Sequence, residues 1–196
     1  MRKILIVVDM QNDFVTGALG TPEARAIVPN IVEKIKEYNE YELGALDANI
    51  IFTFDTHDLN YPHTLEGQLL PVPHCLGKTR GHDLIPELEE LLMCEKGEIY
   101  PLAEINKQTF GYEHWKAIID AVIFANRVYQ KDEELEIELC GVCTDICVIS
   151  NALALRMFYP NTKIIVDASC CAGVTPEKHA AALEVMKSCQ IEVINE

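Results

Sequence analysis

Basic residues are scarce: 16 Lys and Arg stand against 31 Asp and Glu, a formal charge of −15. A chain of that sign repels a phosphate backbone, because nucleic-acid affinity comes from cations displacing condensed counterions, so no nucleic-acid partner is expected. Long apolar runs are missing too. Runs such as "ILIVV" at 4–8 are strand-sized, well short of the roughly 20 residues a bilayer-spanning helix needs, and no membrane association is expected. That run stops at Asp9 without a small-residue cleavage site, too early for a secretory core, so a cytoplasmic location is the expectation. The eight cysteines fall at 75, 94, 140, 143, 147, 170, 171 and 189. The adjacent pair at 170 and 171 is too tight to bridge easily, and a reducing compartment keeps thiols free, so each cysteine needs its own account. No repeat, low-complexity tract or Pro/Gly/Ser linker divides the 196 residues, and 1–196 reads as a single domain.

What is present is a core-forming composition, 49% hydrophobic and 24% charged, that of a folded globular protein. Apolar, β-branched runs recur at 4–8, 49–54, 136–140, 163–166 and 191–195, with a marginal "EIY" at 98–100. Segments of helical spacing lie between them, at about 23–40, 84–94, 112–126, 145–158 and 176–188. Continuously apolar strands alternating with helices predict a parallel sheet covered on both faces. The expected fold class is α/β: a single-domain, three-layer, doubly wound fold around a mostly parallel six-stranded sheet.

Loops at the carboxyl ends of such strands converge, so the residues following each strand are the ones to read for chemistry. Those positions hold Asp9, Asp55 with His57, Lys107, the Cys143–Cys147 turn and Asp167. The segment 56–83 carries four of the six histidines and three prolines with no sustained period, and loops of that length are usually functional or disordered.

The turn "GVCTDICV" at 141–148 raises the question of which sulfur reacts. Thr144 reads as a natural N-cap, which puts Cys147 in the first helical turn and Cys143 before the helix. Free amides and the positive end of the helix dipole there favour a thiolate. Complete ionisation of an ordinary thiol at neutral pH is worth only about 2 kcal/mol, so charge stabilisation in the transition state must supply more. An isolated intracellular cysteine is more often a small buried hydrophobe, and the neighbours decide.

"ILIVVDMQNDF" (4–14), "FTFDTH" (52–57), "LPVPHC" (70–75), "INKQTFG" (105–111) and "GVCTDICV" (141–148) occur in this order. Together they resemble the isochorismatase-like cysteine hydrolases, nicotinamidases most of all. The resemblance spans essentially the whole chain and implies an Asp-Lys-Cys triad of Asp9, Lys107 and Cys147. It also implies a cis peptide at Val142-Cys143, an oxyanion hole from the backbone amides of Cys143 and Cys147, and substrate contacts at Phe14 and Val142. Asp13 reads as a loop-fixing acceptor.

The resemblance further implies a divalent metal, zinc first with iron or manganese as alternatives, held by Asp55, His57 and His74. The fourth ligand is either His63 or Glu66; the offset from the aspartate and the following "EG" favour Glu66. A set of one Asp, two His and one Glu suits any of the three metals. His82, His114 and His179 read as structural or surface residues. Where nicotinamidases commonly carry an aromatic residue three before the last histidine ligand, this chain has Pro71, which weakens the preference for a pyridine ring.

The leading expectation is therefore a metal-dependent amidohydrolase that converts nicotinamide to nicotinate and ammonia through a thioester on Cys147. A small-molecule amide is the expected partner, and a homo-oligomer the expected assembly. The nearest alternative is a sibling hydrolase of another small amide or an N-carbamoyl or ureido compound. The third is a non-catalytic binding or thiol redox-sensing domain.

Overall fold

Strands form where the β-branched runs lie, and helices where apolar residues recur every three to four positions. The computed structural model describes residues 2–41, 48–93, 101–127 and 135–196. The chain runs β1 (Arg2–Val8), α1 (Asn12–Val15), α2 (Pro22–Ala26), α3 (Val28–Tyr41), β2 (Ala48–Asp55), α4 (Leu65–Leu69), α5 (Pro86–Met93), β3 (Pro101–Lys107), α6 (Trp115–Arg127), β4 (Leu135–Val142), α7 (Ile149–Phe158), β5 (Lys163–Ala172), α8 (Pro176–Ser188) and β6 (Glu192–Ile194). A 3-10 turn at Tyr61–His63 precedes α4, and a π-helical turn at Thr144–Val148 leads into α7.

The six strands form one sheet in the order β3-β2-β1-β4-β5-β6, and every pairing is parallel. Ile4 to Val8 of the central β1 are fully buried, as expected of a strand covered on both faces. Helix α3 turns Val28, Ile31 and Ile35 inward and packs on α5, β2 and β5, while α6, α7 and α8 pack on one another in sequence. Two helices start where sequence chemistry says they should. Thr21 and Thr175 accept from the amides of Ala24 and Lys178, each followed by proline at the first helical position. No helix among the described residues is long and apolar enough to cross a membrane.

Three elements differ here from the expectation. The run at 98–100 lies outside the described residues, and the third strand is Pro101–Lys107, so Lys107 is its final residue and not a few positions beyond it. As an edge strand, β3 needs no continuous apolar run. The segment 56–83 holds two short helical pieces, Tyr61–His63 and Leu65–Leu69, the second capped by Thr64, whose hydroxyl accepts from Gly67 N at 3.0 Å. Strand β5 continues through "SCCA" to Ala172, which puts Asp167 mid-strand and not at a strand end.

Asp167 instead belongs to a buried ionic cluster between α3 and the sheet. Lys34 Nζ lies 2.7 Å from Asp167 Oδ2 and 2.5 Å from Glu138 Oε1, with side-chain exposures of 12%, 2% and 7%. Tyr38 donates to Glu138 Oε2 at 2.7 Å, and Ser169 and Asn195 donate to Asp167 at 2.7 and 3.0 Å. One ammonium serves two carboxylates, and each carboxylate oxygen has a donor, which is what makes the burial tolerable. Lys34→Ala strands two carboxylates, so it should lower unfolding free energy by about 3 kcal/mol or more in urea titration. A loss below about 1 kcal/mol, the scale of an exposed pair, would mean the cluster is not anchoring α3.

Candidate active site

Strand order reverses between β1 and β4, and it is at the carboxyl edge beside such a reversal that open α/β sheets bind ligands. Gly141 lets the two strand ends approach there. Its φ is +116°, and an added Cβ would collide with the Val8 carbonyl, so only glycine fits.

Asp9 follows β1 directly, with a positive φ of 50° that Asp tolerates better than most residues. It is completely buried, and its carboxylate Oδ1 accepts from Thr53 Oγ1 on β2 at 2.6 Å. Lys107, at the end of β3, reaches across β2, so that Nζ lies 2.6 Å from Asp9 Oδ2 and 3.7 Å from Asp55 Oδ1. The same ammonium donates to Cys147 Sγ at 3.6 Å. Three segments far apart in sequence thus bring acid, amine and thiol together.

Cys147 sits in the π-helical turn after β4. Here the N-cap expectation fails: Cys143 occupies the cap position with extended backbone, and Thr144 is inside the turn, its hydroxyl paired with His179 Nδ1 at 2.8 Å. The peptide Val142-Cys143 is cis. The Cys143 carbonyl accepts from the amides of Ile146 and Val148 at 3.0 and 3.1 Å, leaving the Cys147 amide outside these two bonds.

Burial governs the electrostatics. It pushes the Cys147 thiol well above its ordinary pKa; Asp9 pushes the same way and Lys107 opposes. Burial thus works against the dipole-favoured thiolate read from the sequence. Burial also raises the Asp9 carboxyl, against the pull of Lys107. Burial alone would discharge Lys107, but Asp9, Cys147 and Asp55 outweigh it and hold the ammonium above the ordinary lysine range.

Beside this group stand Asp55, His57, Glu66 and His74, with one ligand-type atom from each lying within 4.8 Å of the others. Asp55 Oδ2 is 3.0 Å from His57 Nε2 and 3.4 Å from His74 Nε2, and Glu66 Oε1 is 3.7 Å from each histidine. Ligand atoms around a tetrahedral zinc with bonds of about 2.1 Å sit roughly 3.4 Å apart, so the spacing fits a divalent ion. Two further details agree. His57 Nε2 is buried without a hydrogen bond despite the nearby carboxylate, as when two lone pairs point at a common centre. His74 pairs Nδ1 with the Val72 carbonyl at 2.9 Å, which fixes the ring with Nε2 inward. Burial would raise the Asp55 carboxyl, but the imidazoles of His57 and His74 and the ammonium of Lys107 hold it well below the usual carboxylate range.

His63 is exposed and outside this group. Phe14 packs its ring 5.5 Å from that of His74, Val142 is buried at the end of β4, and Pro71 is exposed. Asp13 accepts from Cys75 N at 2.8 Å and Ala18 N at 3.3 Å, fixing the loop behind His74. His82 pairs with Thr56, and His114 is on the surface.

Sequence reading passed over several residues that hold the site. Gln11 donates from Nε2 to the carbonyls of Asp55 and His82 at 2.9 and 2.8 Å and accepts from Asp55 N at 2.8 Å. Tyr61 packs its ring 4.6 and 5.1 Å from those of His57 and His74. Thr53 and Asn151 are fully buried polar residues. Their signal was a polar side chain inside or next to an apolar run.

The Isochorismatase domain family matches residues 3–99 and 123–196. The chain belongs to the isochorismatase family. Among the relatives of this family member, the nicotinamidase/pyrazinamidase of Mycobacterium tuberculosis is 26% identical over 194 residues, 98% of both chains. The crystal structure of the nicotinamidase PncA from Bacillus subtilis matches over 100% of both chains at 28% identity and a TM-score of 0.76. That of the pyrazinamidase of Pyrococcus horikoshii, solved in complex with zinc, matches over 100% of both chains at 26% identity and a TM-score of 0.72.

If the four-residue group holds the ion, His74→Ala should weaken Zn²⁺ binding by at least the 10–100-fold, roughly, that loss of even an outer-shell partner costs, while His63→Ala leaves it unchanged. Competition against a chelating dye reads both. Equal weakening in the two variants would contradict the assignment.

Proposed function

We propose that the protein is a metal-dependent cysteine amidohydrolase that converts nicotinamide and water to nicotinate and ammonia. The observation that carries this reading is the contact of Lys107 with both Asp9 and Cys147, at 2.6 and 3.6 Å, all three residues being buried. The names of the relatives support the substrate.

Asp9 is the general base. Its raised pKa makes the carboxylate a stronger proton acceptor, and it takes the Cys147 proton as the sulfur attacks the amide carbonyl. Lys107 offsets the negative charge that passes between Asp9 and Cys147. The amides of Cys143 and Cys147 stabilise the oxyanion, where each donor is typically worth ~3 kcal/mol. Asp9 then returns the proton to the leaving nitrogen, ammonia departs, and a thioester remains on Cys147. Water activated by Asp9 adds to that thioester, nicotinate leaves, and the thiol is restored.

Asp55, His57, Glu66 and His74 would hold the divalent ion, zinc first. When bound, it supplies a Lewis-acid centre that can take a ring nitrogen and orient the substrate. Phe14 and Val142 contribute pocket wall. Exposed Pro71, in place of an aromatic wall, favours a second reading, a sibling hydrolase of another small amide or of an N-carbamoyl compound. The free thiols at all seven described cysteines support a cytoplasmic setting.

Ammonia release from a panel of nicotinamide, pyrazinamide and N-carbamoyl amino acids tests the substrate, with nicotinamide or pyrazinamide expected to turn over fastest; a preference for carbamoyl compounds selects the second reading. Cys147→Ser and Asp9→Asn should each lower kcat on the order of 10³-fold or more. Because Asp9 acts deprotonated and its pKa is raised, kcat/KM should be lost as pH falls through an acid limb above ~3.9, the ordinary aspartate value. A limb at or below that value would remove Asp9 as the base.

A further inference from the structure

Asn151 lies within α7, and asparagine is a poor helix former. It is also fully buried, a position that costs free energy unless each polar atom finds a partner. All of them do. Oδ1 accepts from the amide of Tyr112 and from Trp115 Nε1, both at 2.8 Å. Nδ2 donates to the Cys147 carbonyl at 2.8 Å and to the Phe110 carbonyl at 3.3 Å. Two acceptor and two donor contacts fill the side chain's capacity.

The placement of those partners matters more than their number. One is the nucleophile's own carbonyl, at the junction of the π-helical turn with α7. The other three belong to the loop after Lys107 and the start of α6. That loop is closely seated: Thr109 Oγ1 donates to Gly111 O at 2.6 Å, and a Cβ on Gly111 would come within 3.3 Å of the Ser150 carbonyl. Lys107 ends β3 and Cys147 lies in the turn after β4, and beside the 3.6 Å contact of their functional atoms, Asn151 is a fixed strut between the two segments.

We infer that Asn151 is a positioning residue: by clasping the Cys147 carbonyl to the loop trailing Lys107, it sets where the thiol stands relative to the ammonium. It touches neither substrate nor reacting atoms. The inference rests on Cys147 being the nucleophile, as proposed above. A small displacement of a nucleophile costs rate more than ground-state binding, and about 1 Å can cost on the order of 100-fold. A residue needed only for folding would lower the amount of active enzyme and leave the properties of the folded fraction alone.

The test uses the zinc-loaded, full-length protein and four variants. Asn151→Ala removes the strut, Asn151→Asp keeps the two acceptor contacts and loses both donors, Asn151→Ser keeps only a donor to the helix carbonyl, and Trp115→Phe deletes one donor while keeping ring bulk. In Asn151→Ala and Asn151→Asp, kcat per folded, zinc-loaded site should fall about tenfold or more with KM within about threefold. Asn151→Ser should be intermediate, and Trp115→Phe should show a smaller fall in the same direction. Without any substrate, the iodoacetamide alkylation rate of Cys147 should change by about threefold or more in Asn151→Ala and Asn151→Asp. That arm decides the inference even if nicotinamide is not the substrate, since failure of the wild type to release ammonia bears only on the substrate assignment. Should Asn151→Ala not fold, Trp115→Phe and Asn151→Ser carry the test. The inference is overturned if folded variants keep kcat within about twofold with unchanged alkylation, or if activity falls only in step with the folded fraction.

Discussion

An ammonium held 2.6 Å from a fully buried carboxylate, with a thiol 3.6 Å away, is the contact around which this structure is arranged. Neither charge could stay ionised there alone. Removing one partner of such a pair typically costs ~3–5 kcal/mol because the other is stranded, so the pair constrains the fold as well as the chemistry. Asp9 must end β1, Lys107 must end β3, and β2 between them must present a side chain that does not compete; Thr53 instead donates to Asp9. The parallel registers of β1 with β2 and of β2 with β3 bring these ends level.

Their surroundings shift two neighbouring carboxyls in opposite directions. Asp9 is pushed up by burial, with Lys107 and the Thr53 hydrogen bond opposing, whereas Asp55 is held down against burial by two imidazoles and the same ammonium. Two carboxyls whose environments separate their pKa values can take different roles: one can accept and return a proton, the other stays ionised as a cation ligand. Lys107 touches both, which couples the candidate ion site to the proposed nucleophile. Burial and Asp9 both disfavour ionisation of the thiol, with Lys107 opposing, which agrees with the proposed transfer of its proton to Asp9 during attack.

The parts of the fold legible in the sequence were those whose burial is uniform. Strand β1 is covered on both faces and carries the unbroken apolar run 4–8, while β2 and β4 are buried with Asn49, Thr53, Glu136 and Glu138 interrupting theirs. Strand β3, at the sheet edge, has the pattern "PLAEINK" with alternating exposure at its end, and only its register with β2 defines it. The carboxyl part of β5 was hidden because Ser169 and the two cysteines carry little strand signal by themselves. At the site, Asp9, Lys107, Cys147 and the four ligand-type residues were legible because chemistry restricts them to few residue types. Gln11, Thr53 and Asn151 were not. They act by satisfying particular backbone or side-chain atoms of distant segments, information that exists only once those segments meet.

The most direct test is to find the nicotinoyl group on the enzyme. Zinc-loaded protein mixed with excess nicotinamide, quenched in acid during turnover and digested for peptide mass analysis should carry one nicotinoyl group on Cys147, labile to hydroxylamine. A peptide containing Cys147 that stays unmodified throughout turnover in the face of steady ammonia release, or the same adduct on a different residue, would contradict the account.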